Sequence, residues 1–322
     1  MKLKANFQLT SFRTPYHLRN PHSQSIYAGI FLKGESVKYR RERLVTPDED
    51  FFDVDIVDGR GPVVIACHGF EGSSNSTHIT RLMTIIQKLG WSGYAMNYRS
   101  CSGVINDTFY TYNAGKTEDL EQLIWYVYEQ NPKRPIFLVG YSFGANILAN
   151  CISRPKSKLP KIFASALVSG NYRIEPGVIA MGKGFSRVYE QSFVSSLIEK
   201  YKLKRAKFPN EIDYEAFFDS KSLYELDEKI TAPYFDFPSA SSFYDEISSA
   251  SHLNKINHPT FMLNSLDDPL SPPACFPSEE ELSSSFLNFH TTRRGGHVAF
   301  ISRDISYWLE KQIIRWFIFS IS

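Results

Sequence analysis

Three short apolar runs most tightly constrain how this chain can fold. They are Pro62-Val63-Val64-Ile65-Ala66-Cys67, Pro135-Ile136-Phe137-Leu138-Val139-Gly140 and the stretch 163–168. A strand apolar on both faces is buried on both faces, as in a parallel sheet covered by helices. Helical stretches at 78–89, 116–129 and 146–153 follow in rhythm, with a further strand candidate at 92–98. Strands alternating with helices of this length are joined by right-handed crossovers. The fold class read from the pattern is α/β, a mostly parallel sheet flanked by helices.

The rhythm has a beginning, a break and an end. Residues 1–36 read as irregular, with Pro15, Asn20-Pro21 and Gly34 as breakers. Strands are expected at 37–45 and 51–57, the second alternating Phe52, Val54 and Ile56 against Asp53 and Asp55. Residues 171–257 leave the pattern and read as an inserted helical cap or lid. It resumes with a strand at 260–264, a helix around 279–284, a strand at 286–291 and a last helix at 305–319. The expected core is thus 37–170 and 258–322.

Composition removes several function classes. With 36 Lys and Arg against 34 Asp and Glu in 322 residues, the net charge is +2. That gives no support for nucleic-acid binding, which shows as a strongly basic domain. Mean hydropathy is −0.26, and no run approaches the ~18 apolar residues of a spanning helix. The first eight residues are basic but lack the apolar core of a secretory signal. Cys67, Cys101, Cys151 and Cys275 are scattered without a CxxC pair, which reads as free thiols in a reducing, cytoplasmic setting, with no disulfide framework and no metal site. Aromatics reach 15%, which by itself fits either a large core or an apolar ligand site.

Gly140-Tyr141-Ser142-Phe143-Gly144 fits GxSxG. The pattern alone is weak, but it follows an apolar strand and opens a helix. A tight bend there projects the serine Oγ from the strand end, and the flanking glycines let strand and helix approach. A serine hydroxyl needs a base. On such an elbow the partners follow in the order Ser, acid, His. His290 lies inside a strand pattern and reads as structural, whereas His297, after Gly295-Gly296, sits on a loop beyond that strand. The acid should end the preceding strand, where Asp267 and Asp268 are adjacent. Counting from Pro259 favours Asp268 as the acid, with Asp267 as its alternative or the cap of the following turn. The oxyanion would take backbone N–H groups from Phe143 and from the loop His68-Gly69-Phe70-Glu71-Gly72, with Phe70 as the donor and His68 packing the loop. Lys200, Lys202, Lys204, Arg205 and Lys207 form a basic cluster. It reads first as a solvated face, and second as a face for transient contact with an anionic lipid surface.

Taken in order, His68-Gly69-Phe70-Glu71-Gly72-Ser73-Ser74, Arg99-Ser100-Cys101-Ser102-Gly103, the Gly140–Gly144 elbow, Asp267-Asp268-Pro269 and Gly295-Gly296-His297 resemble the YheT/EMB8 branch of the α/β-hydrolases. So do Asn20-Pro21-His22-Ser23-Gln24-Ser25 and Ile230-Thr231-Ala232-Pro233. Two positions depart from that branch: Ser100 stands where glycine is usual, and Phe143-Gly144-Ala145 where Leu-Gly-Gly is common. The resemblance implies a carboxylic ester hydrolase without a cofactor, acting on a small-molecule acyl ester. The rival readings are acyl transfer to an alcohol by the same triad, and a non-catalytic scaffold. Aromatics at Phe70, Phe143 and across 171–250 are then expected to wall an apolar acyl site. Neither head group nor oligomeric state is legible.

Overall fold

The computed structural model describes residues 7–32 and 36–322, so 1–6 and 33–35 of the N-terminal segment lie outside it. The strands β1 (Arg40–Val45), β2 (Phe51–Val57), β3 (Val63–Cys67), β4 (Ser92–Asn97), β5 (Ile136–Tyr141), β6 (Ala164–Val168), β7 (Thr260–Ser265) and β8 (Leu287–Thr292) form one sheet in the order β1-β2-β4-β3-β5-β6-β7-β8. β2 runs antiparallel to both its neighbours, and β4 to β8 pair in parallel through β3.

Each apolar run divides between the two sides of this sheet with period two. Val63, Ile65 and Cys67 of β3 join one core, and Val64 and Ala66 join the other. The helices in chain order are α1 (Pro21–Phe31), α2 (Thr77–Lys88), α3 (Glu118–Gln130), α4 (Phe143–Ser153), α5 (Ile174–Met181), α6 (Arg187–Lys207), α7 (Tyr214–Asp219), the short turns α8 (Leu223–Leu226) and α9 (Ala232–Tyr234), α10 (Ala240–Ile247) and α11 (Trp308–Ile321). α2 buries Ile79, Leu82, Met83 and Ile86, one stripe at i, i+3, i+4 and i+7, and stops at Gly90 with φ 67°. It shares its side of the sheet with α11, whose Trp316 and Phe317 are fully buried. α3 and α4 cover the other side. There the chain leaves β6, builds α5 to α10 and returns to β7.

Several expectations need correction. The N-terminal segment is not irregular throughout, because 21–31 is helix α1. Asn20 caps it by accepting from the His22 and Ser23 N–H groups, and Pro21 takes the first turn, where no N–H is needed. Residues 279–284 form turns and no helix. β2 is buried at every position, its aspartates included. Asp53 and Asp55 are buried, and each takes a two-point contact from an arginine of β1, Arg43 and Arg41 respectively. Ser100 keeps the left-handed backbone that a glycine would supply (φ 64°), and its hydroxyl is bonded to Asn106. The basic cluster is only partly a solvated face. Lys204 is buried and bonds the Asn106 side chain at 2.7 Å, and Lys200 is buried against Glu71. Lys202, Arg205 and Lys207 point outward, paired with Glu199, Glu215 and Asp107. Among the described residues no helix is long and apolar enough to cross a membrane.

Candidate active site

β5 delivers Ser142 at the centre of the sheet. Its dihedrals, φ 54° and ψ −123°, lie where a residue with a Cβ is strained. The surroundings impose them. Ser142 N–H donates to Val168 of β6 at 2.8 Å, and the Ser142 carbonyl accepts the Ala145 N–H at 2.9 Å. Both flanking glycines are required by contact. A Cβ on Gly140 would lie 2.6 Å from the Gly144 carbonyl oxygen, and one on Gly144 would lie 2.2 Å from that of His68.

His297 lies on the loop after β8, its side chain only 10% exposed. Its Nε2 is 2.7 Å from Ser142 Oγ, and its Nδ1 is 2.9 Å from Asp268 Oδ2. An Nδ1–H donated to the carboxylate leaves Nε2 as the acceptor for the serine proton. Asp268 follows β7, its carboxylate fully buried. Its Oδ1 also accepts the Leu270 and Ser271 N–H groups at 2.9 and 3.0 Å. The neighbouring Asp267 does a different job: its Oδ1 accepts from Gly295 N–H at 2.9 Å and Gly296 N–H at 3.1 Å, which ties down the loop carrying His297. Of the two adjacent aspartates, then, Asp268 faces the imidazole and Asp267 faces the backbone.

The remaining expected site residues converge on the same point. Phe143 is the first residue of α4, where an N–H has no partner inside the helix. Gly69, next to Phe70, packs against the serine, since a Cβ there would lie 3.2 Å from Ser142 Cβ. The rings of Phe70 and Phe143 meet edge to face at 5.2 Å. His68 is spent within its loop, its Nδ1 2.7 Å from the Gly69 carbonyl and its Nε2 accepting Tyr98 N–H at 3.3 Å. Burial pushes its pKa down to about 4. His290 packs against Phe7 and Phe261 on the far side of the sheet.

Ser142, Phe70 and Phe143 open onto a largely apolar cavity between the sheet and the helices α5 to α10. Ile174, Met181, Leu226 and Ile230 line it, with six of the aromatics expected there: Phe193, Phe217, Tyr234, Phe235, Phe243 and Tyr244. Other aromatics of 171–250 do different work. Tyr189 stacks on His22 of α1 and Phe185 packs against the same ring at a tilt, Tyr214 donates to the Phe208 carbonyl, and Phe218 and Phe237 pack against neighbouring rings.

Sequence reasoning missed the residues that hold the histidine loop. Ser25 accepts the His297 N–H, and Ser169 Oγ accepts the Val298 N–H at 3.1 Å. The only signal for Ser25 was the segment Asn20–Ser25, which carried a resemblance but no stated role.

A serine on a strained strand-to-helix elbow of a mostly parallel sheet, bonded to a histidine on a late loop, defines an α/β-hydrolase. The comparisons name the family. Residues 60–284 match the family described as serine aminopeptidase, S33. The YheT protein of Escherichia coli is 31% identical over 307 residues, covering 92% of this chain and 90% of that one. Human phospholipase ABHD3 is 26% identical over 276 residues, covering 82% of this chain and 67% of its own. The chain therefore belongs to the α/β-hydrolase family, in the branch of YheT, and is a hydrolase. A solved structure of the Pyrococcus furiosus esterase Pf2001 superposes with a TM-score of 0.57 at 16% identity, covering 97% of both chains, and shows the same fold.

Proposed function

We propose that this chain hydrolyses carboxylic esters of an apolar acyl group, with Ser142 as nucleophile, His297 as base and Asp268 as its orienting acid. The observation that carries the reading is the hydrogen-bonded string Asp268–His297–Ser142 ending at the mouth of an apolar cavity.

The steps follow from the geometry. Ser142 Oγ attacks the acyl carbonyl carbon as its proton passes to His297 Nε2. The carbonyl π electrons move onto oxygen, and the N–H groups of Phe70 and Phe143 stabilise that charge. Collapse of the tetrahedral species breaks the ester C–O bond, and His297 returns its proton to the leaving alcohol. Water then attacks the acyl-enzyme, giving its proton to His297, and Ser142 is regenerated with release of the acid. Asp268 stays ionised and stabilises the imidazolium.

The helices α5 to α10 act as the cap on 37–170 and 258–322, and their apolar side chains exclude water from the acyl chain. Free cysteines at all four positions suit a reducing, cytoplasmic setting. The test is turnover of p-nitrophenyl esters of increasing chain length by wild type and Ser142→Ala, with fluorophosphonate labelling. Labelling at Ser142 and loss of turnover in Ser142→Ala are expected; unchanged turnover would remove Ser142 from the mechanism.

A further inference from the structure

One face of helix α6 carries Tyr189, Phe193, Ser196 and Lys200, spaced i, i+4, i+7 and i+11. Three of them reach the loop that carries Phe70, and Tyr189 reaches helix α1. Tyr189 meets His22 Nδ1 at 3.3 Å, and the ring of Phe193 meets that of Phe70 at 5.4 Å. The other two converge on a single carboxylate. Lys200 Nζ donates to Glu71 Oε1 at 2.7 Å, and Ser196 Oγ donates to Oε2 at 2.6 Å.

Glu71 follows Phe70 directly and has φ 52°, a left-handed conformation that glutamate does not adopt without help. Tyr112 supplies further restraint. Its hydroxyl accepts the Glu71 N–H at 2.9 Å and donates to Glu71 Oε1 at 2.9 Å. The Glu71 and Lys200 side chains are only 4% and 8% exposed, so the pair acts where water screens it little. A buried pair of this kind is weak evidence for added stability. What it fixes here is the backbone on either side of Glu71 and, one Cα further back, the direction of the Gly69–Phe70 peptide that carries the Phe70 N–H.

We infer that Glu71 is a positioning residue for the oxyanion site: clamped by Ser196 and Lys200 of α6, it sets the direction of the Phe70 N–H beside Ser142. The cap is then part of the catalytic apparatus as well as the wall of the cavity. The inference rests on the Ser142 reading given above.

The test compares wild type with Glu71→Gln, Lys200→Met, the double variant and Ser196→Ala on p-nitrophenyl butyrate, together with inhibition by an alkyl trifluoromethyl ketone. Glu71→Gln and Lys200→Met are expected to lower kcat about 10- to 100-fold with KM held within about twofold. Affinity for the ketone, whose adduct carries the oxyanion, should fall by the same factor as kcat/KM. The double variant should be no worse than the poorer single, because the two side chains act as one unit. Where Glu71→Gln fails to fold, leaving Lys200 buried and unpaired, the charge-neutral double variant and the exposed Ser196→Ala decide. Folded variants with wild-type kcat and ketone affinity, or losses confined to KM, would overturn the inference. Absence of Ser142-dependent turnover in wild type is a separate result, seen before any Glu71 variant is made, and it would remove the hydrolase reading and this inference together.

Discussion

The backbone N–H of His297 donates to the hydroxyl of Ser25 at 2.9 Å, across 272 positions of sequence. Ser25 in turn donates to the Pro21 carbonyl at 2.9 Å, so the contact is anchored in the first turn of α1. Gly296 presses against the same place with φ 59°, and a Cβ there would lie 2.9 Å from Ser25 Oγ and 3.0 Å from the Pro21 oxygen. Tyr189 of α6 stacks on His22 of the same helix turn. The N-terminal helix therefore braces the loop that presents the imidazole.

Replacing Ser25 with alanine removes the acceptor for the His297 N–H and frees that loop to drift. The expected result is a fall in kcat of about 5- to 50-fold at nearly constant KM. Ser25→Thr keeps the hydroxyl and should retain most of the activity. Steady-state kinetics with a thermal melt for each variant checks this, and a Ser25→Ala enzyme of unchanged kcat would leave the contact without a part in positioning His297.

The two adjacent aspartates should separate by experiment. Asp268→Asn offers an amide where the imidazole needs a carboxylate, so His297 is held in the wrong tautomer and kcat should fall on the order of 10⁴-fold. Asp267→Asn should instead act through the Gly295 and Gly296 N–H groups. It should cost about 1–3 kcal/mol of stability, measured by urea unfolding, with a far smaller loss of turnover. Exchange of these two phenotypes would make Asp267 the acid.

The elbow was legible because its pattern is local. An apolar strand, a serine, two glycines and a helix lie within a few residues, although only Gly140 answers a contact inside that stretch, while Gly144 answers one with His68. The parallel strands were legible because burial on both faces leaves a continuous apolar run. The division between Asp267 and Asp268 was visible only as a preference, since it depends on a loop some 28 residues away in sequence. Helix α1 was not legible because Pro21 reads by itself as a breaker, whereas after a capping Asn20 it is a helix start. The direction of Lys200 and Lys204 was hidden because their partners, Glu71 and the 106–108 loop, are 129 and 98 residues distant. Periodicity marks a face of a helix, but it does not show which charges on that face find buried partners.

Narrowing the cavity from the cap side tests whether it holds the acyl chain. Leu226 is buried and lines it. Leu226→Trp adds an indole to that space and should shift the preferred p-nitrophenyl ester toward shorter chains. Turnover of the acetate should be nearly unaffected, and kcat/KM for long chains should fall about 10-fold or more. A chain-length profile identical to wild type would place the acyl group elsewhere.

The stability of the chain should fall in mild acid, and the sign follows from three buried histidines. Burial pushes the pKa of His68 and His258 down from the ordinary 6.5 to about 4, and that of His78 to about 3. Below pH 6.5 the unfolded chain takes up protons at these sites that the folded chain refuses. Stability is thus fully present above pH 6.5 and drains away as the pH falls toward the folded values. At ~1.4 kcal/mol per pKa unit the loss is on the order of 3 kcal/mol per histidine. Asp227 opposes this trend, because burial raises its pKa from 3.8 to about 6 and the folded state gains a proton there first. Burial raises Asp119 in the same sense, but the lowered pKa values of His252, His290, Asp48 and Asp55 add to those of the three histidines and leave a net loss. Urea unfolding at pH 8, 7, 6, 5 and 4 should show a midpoint that is flat above pH 7 and falls below it. His258→Gln, which removes one of the three, should make the fall shallower. A midpoint that rises between pH 7 and 5 would mean that the histidines are not held neutral in the folded protein.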